Sequence, residues 1–147
     1  MRLTRRSMPW VLSLLLLLLT GATALATVRI SSTNVYNKDR YWDSPTWRNG
    51  SADSTGTITL KCRDESDSND PNDWVTIRIW RHAGIFPPYS VGDKDFTSCR
   101  DTAKAKTWTS NMGGAEDFHF QIRAFSANGG YDGSHLIDLI PYSVETN

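Results

Sequence analysis

Apolar side chains recur at every second residue in several stretches of this chain, and that period fits a half-buried β-strand and no helix. Ile58, Leu60 and Cys62 share one face of residues 57–63. Val75, Ile77 and Ile79 share one face of residues 74–81, and Phe118, Phe120, Ile122 and Ala124 one face of residues 117–127. Residues 134–144 form a further apolar run, with Pro141 placed to bend it. Shorter strand candidates lie at 28–36, 96–99 and 106–110. Beyond residue 26 leucine is reduced to Leu60, Leu136 and Leu139, while Ile, Val, Thr, Phe, Trp and Tyr take its place. Such side chains suit pleated surfaces. Turn residues separate the runs: Asp70-Pro71-Asn72, Asn111-Met112-Gly113-Gly114 and Asn128-Gly129-Gly130-Tyr131-Asp132-Gly133. The expected fold is all-β, a single antiparallel β-sandwich of about six or seven strands over residues 57–147.

The first 26 residues read as an export signal. Arg2, Arg5 and Arg6 precede an apolar run at 11–19, and Ala24-Leu25-Ala26 gives the small-x-small exit. That run is about half the roughly 20 residues a spanning helix needs. Pro9 stands where a twin-arginine signal prefers an apolar residue, so the general secretory route is expected, from a bacterium. Cleavage leaves 121 of the 147 residues, enough for one modest core. It also takes the balance from 16 basic and 16 acidic residues to 13 and 16. A net charge of −3 does not suit nucleic acid, which needs a basic face. Export makes the cysteine pair Cys62 and Cys99 a disulfide closing a loop of 36 residues.

No catalytic constellation declares itself. No serine sits in a nucleophile elbow. The histidines are His82, His119 and His135, and the three-residue spacing of His135 and Asp138 turns them to opposite faces of a strand. The acidic cluster Asp64, Glu65, Asp67, Asp70 and Asp73 departs from a calcium loop, with Asp70 at the turn glycine and Thr76 at the bidentate glutamate. No enzymatic activity, metal or cofactor is expected. Aromatic residues are the better clue. Residues 34–56 are polar and turn-rich yet carry Tyr36, Tyr41, Trp42 and Trp47. Residues 27–56 read either as an edge strand with a long loop or as an extended arm whose rings anchor a partner. Trp74, Thr76, Arg78 and Trp80 share the polar face of their strand. They form either a contact surface or a platform on which Arg78 lies over Trp80.

An export signal, one β domain of about 120 residues, the pair Cys62 and Cys99 and a polar-aromatic N-terminal arm together resemble the small adaptor subunit of bacterial umbrella toxin particles. The resemblance is architectural and spans the mature chain. It implies a non-catalytic adaptor that links a lectin-bearing subunit to a large secreted toxin, with the arm, residues 27 to about 47, docking in a cleft of the lectin-bearing partner. The residues themselves leave two alternatives: a carbohydrate- or cell-envelope-binding module built on Trp74 and Trp80, and a small secreted protease inhibitor, for which no loop stands out. In each reading the protein is extracellular and acts on a partner there.

Overall fold

A computed structural model describes residues 26–38, 40–64, 72–125 and 136–147. The expected export signal, the acidic residues Glu65, Asp67 and Asp70, the turn at 128–133 and His135 lie outside the described residues. Among the described residues nine strands run in the order β1 (Thr27–Ser32), β2 (Val35–Lys38), β3 (Trp47–Arg48), β4 (Gly56–Asp64), β5 (Val75–His82), β6 (Tyr89–Phe96), β7 (Lys104–Trp108), β8 (Asp117–Phe125) and β9 (Ile137–Thr146). They form two antiparallel sheets. In the first, β9 carries β1 and β2 along one side and β4 on the other, with β7 at the far edge; the second has the order β3-β8-β5-β6.

The period-two faces meet between the sheets. Ile58, Leu60, Cys62, Leu139 and Val144 come from the first sheet, and Val75, Ile77, Ile79, Phe118, Phe120 and Ile122 from the second; all are buried. Tyr142 packs edge-on against Phe120, with centroids 5.2 Å apart. The bend expected at Pro141 takes the form of a bulge. Leu60 pairs with Tyr142 and Cys62 with Leu139, so Ile140 and Pro141 together face Lys61. The edge partner of β9 breaks at the same place, β1 ending opposite Tyr142 and β2 starting opposite Leu139. The stretch expected as one strand at 28–36 is therefore two.

Cys62 on β4 is bonded to Cys99 in the connection after β6, with Cα atoms 5.2 Å apart. Two backbone bonds flank this tie between the sheets: Cys62 N–H to Cys99 O at 2.9 Å and Cys99 N–H to Asp73 O at 3.0 Å. Of the strand expected at 96–99, only Phe96 is in strand, because the chain turns there to bring Cys99 to β4.

Residues 27–48 are built into both sheets. After β2 the chain crosses to the edge of the second sheet and runs along β8. Tyr41 N–H bonds Ile122 O at 2.8 Å, Ile122 N–H bonds Trp42 O at 3.0 Å, and Ser44 N–H bonds Phe120 O at 2.8 Å. Trp47 then pairs with Phe118. Trp47 is only 4% exposed; it lies over Phe118, and its Nε1–H donates to Asn49 Oδ1 at 3.0 Å. The edge-strand alternative describes this segment, and the extended arm does not. The reason is that β8 would otherwise leave one row of backbone groups open and one flank of the phenylalanines bare.

Candidate functional site

The outer face of the second sheet gathers three of the seven side chains picked out in the sequence, Tyr41, Arg78 and Trp80. β5 is central in that sheet, and alternation turns Thr76, Arg78, Trp80 and His82 outward while Val75, Ile77 and Ile79 turn in. Arg78 makes a two-pronged ion pair with Asp93 on β6, at 2.5 and 2.7 Å, and its guanidinium lies 5.4 Å from the Trp80 ring centre. That pairing holds the Asp93 carboxyl below the usual carboxylate range. Trp80 Nε1–H reaches Gln121 Oε1 at 3.4 Å, which also accepts from Arg123 at 2.9 Å. The Tyr41 ring centre lies 4.6 Å from the guanidinium of Arg40 and 4.9 Å from that of Arg123. Tyr41, Arg78 and Trp80 thus belong to one continuous surface, held in place by side-chain bonds.

The other candidates lie elsewhere. Trp47 is a core residue, which corrects its expected role as an exposed anchor. Trp42 is partly buried and packs edge-on to Phe120 at 5.9 Å. Tyr36 is exposed on β2, in the first sheet. Trp74 is half-buried just before β5. Of the acidic cluster, Asp73 is buried and pairs with Arg100 at 3.5 Å, so its carboxylate faces inward. Asp138 is also buried. It accepts from Asn37 N–H at 3.0 Å and from Arg63 at 3.2 Å, pinning β2 and β4 to β9.

Two features were not legible beforehand. The first is the β5–β6 hairpin tip. Ile85 is 97% exposed and Phe86 72%, and the half-exposed Tyr89 stands at the base of the same loop. Phe86 N–H closes a turn on Ala83 O at 3.2 Å, with Gly84 at φ 60°, a left-handed conformation that glycine adopts without steric cost. Pro87 and Pro88 then fix the descending arm. Apolar residues in a row without a period look like core, and only the fold shows these in water.

The second feature is a chain of three polar groups at the base of that hairpin. His82 Nε2 and His119 Nδ1 are 2.7 Å apart, and His119 Nε2 lies 3.3 Å from Asp43 Oδ1, which also accepts from Gln121 at 2.8 Å. Burial pushes the His119 imidazole below its ordinary value; Asp43 opposes that shift and His82 reinforces it. The order carboxylate, imidazole, imidazole is not that of a hydrolytic triad. In the sequence His119 simply alternates with Phe118 and Phe120; its pairing opposite Trp80 brings it to His82.

No protein-family model matches the chain, and neither a curated protein nor a solved structure matches it.

Proposed function

We propose that the protein is a secreted, non-catalytic adaptor that captures an extracellular partner protein through the β5–β6 hairpin tip and the adjoining outer face of the second sheet. The exposure of Ile85 and Phe86 carries this reading. Leaving two such side chains in water forgoes about 1.5–3 kcal/mol each of burial, and a tip restrained by the Ala83–Phe86 turn and by Pro87 and Pro88 lowers the entropic cost of offering them to a partner's pocket. Arginine and aromatic side chains on the neighbouring face suit a contact surface. The leader and the Cys62–Cys99 bond accord with export. In a toxin assembly of the kind the architecture resembles, this hairpin takes the docking role expected of residues 27–47, which are occupied in the sheets.

A glycan-binding role is the second reading, favoured by Trp80 set among Arg78, Gln121 and Asp93, planar groups of the sort that stack on and bond to sugars. A protease-inhibitor role is disfavoured because the tip closes in a turn on Ala83, whereas a substrate-like loop must be extended. The test pairs Ile85→Ser/Phe86→Ser with Trp80→Ala. The hairpin variant should lose at least about tenfold in partner capture from the producing culture's medium, the cost of losing about 1.4 kcal/mol, at an unchanged melting temperature. Full capture by that variant, together with glycan retention that Trp80→Ala abolishes, would favour the glycan reading.

A further inference from the structure

We infer that His82 and His119 form a two-imidazole clip for a borderline divalent transition metal, with Cu²⁺ the preferred ion. This site does not depend on partner capture. Its two nitrogens, Nε2 of His82 and Nδ1 of His119, stand 2.7 Å apart and share one hydrogen. Imidazole nitrogen is a favoured ligand for copper, nickel and zinc, and copper binds tightest in the order of the divalent ions.

Three observations point to a ligand site. First, Asp43 Oδ1 lies 3.3 Å from His119 Nε2 and is itself held by Gln121. A carboxylate there keeps the proton on Nε2 and leaves Nδ1 free as a base, the arrangement that orients metal-bound histidines. Second, the rings project from β5 and β8, adjacent paired strands, with centroids 4.9 Å apart. The ladder fixes both Cα positions, so an ion is admitted only as the two rings turn out of their mutual hydrogen bond while the strands stay paired. Third, the cations nearby are matched: Arg81 pairs with Glu116 and Arg48 with Asp117. Among the described residues no third His, Cys, Asp or Glu completes a cluster, so water fills the remaining positions.

The proton count is simple. With the pair neutral, the hydrogen on His82 Nε2 moves to His82 Nδ1 as the metal takes its place, and none is released. With His82 already carrying both protons, one passes to solvent. His119 keeps the proton on its own Nε2, directed at the Asp43 carboxylate, throughout.

The test is a Cu²⁺ titration of the purified protein in a weakly coordinating buffer, read by electron paramagnetic resonance and by NMR of the histidine rings. Two nitrogen ligands are expected, with the His82 and His119 ring signals broadened. His82→Gln and His119→Gln should each weaken binding by at least about tenfold, and Asp43→Asn by about tenfold or more. The inference is overturned by an absence of saturable binding, by broadening that spares His82 and His119, or by equal affinity in the His82→Gln/His119→Gln double variant. The ring signals of the unmodified protein decide the matter even where a variant fails to fold.

Discussion

At the scale of single residues, several side chains that look like surface hold the interior together. Asn49 is buried, accepting from Trp47 Nε1–H and donating to Met112 O at 2.6 Å. It thereby fixes the loop before β8 against β3. Asp53 works similarly at the other edge: burial raises its carboxyl, but Gly50 N–H, the Thr146 hydroxyl and Arg29 outweigh that and hold it low. His119 makes the pH dependence testable. Its folded value lies below the ordinary 6.5. The unfolded chain therefore takes up this proton first as pH falls, and stability is full above about 6.5 and declines as pH drops toward the folded value. Denaturant melts between pH 8 and pH 5 should show this decline, and His119→Gln should flatten it relative to wild type. A wild-type stability that rises toward pH 5 would contradict the assignment. The carboxylates of Asp53 and Asp93, also held low, extend the acid loss below about pH 4 with the same sign.

At the scale of elements, the strands with a buried face could be read directly from the chain. β4, β5 and β8 alternate cleanly, because one side of each faces the core and the other faces water. β6 could not: Tyr89–Phe96 is an edge strand with only Val91 and Phe96 as aliphatic or phenyl side chains near its core side, and Gly92 and a register shift interrupt it. β3 is two residues long and exists only because β8 has an edge to cover. The aromatic segment at 41–48 was ambiguous for the same reason, since whether Trp42 and Trp47 point in or out depends on a partner strand some 70 residues away. Its placement gives a clear expectation. Removing residues 27–48 strips β1 and β2 from β9, uncovers β8 and deletes Trp47 from the core. Loss of a large aromatic alone typically costs about 3–5 kcal/mol, a large part of a small domain's stability. The truncated protein should lose cooperative thermal unfolding in calorimetry; a melting temperature within a few degrees of wild type would restore the detached-arm reading.

At the scale of the whole molecule, the sandwich separates structure from recognition. Its N-terminal strands, disulfide and buried Asp138 close the body, and the described side chains leave no buried polar atom without a bond. Of the large apolar side chains among the described residues, the two most exposed, Ile85 and Phe86, stand at the β5–β6 tip, while Val28, Tyr36 and Tyr41 are about half exposed elsewhere. The direct test of partner capture at that tip is site-specific photocrosslinking in the producing culture. A photoreactive phenylalanine analogue is placed at position 86 in one variant and at position 36, exposed on the first sheet, in another. One dominant protein adduct through position 86 and none through position 36 is the predicted result. An adduct through position 36 with position 86 silent would return docking to the N-terminal strands and contradict the account.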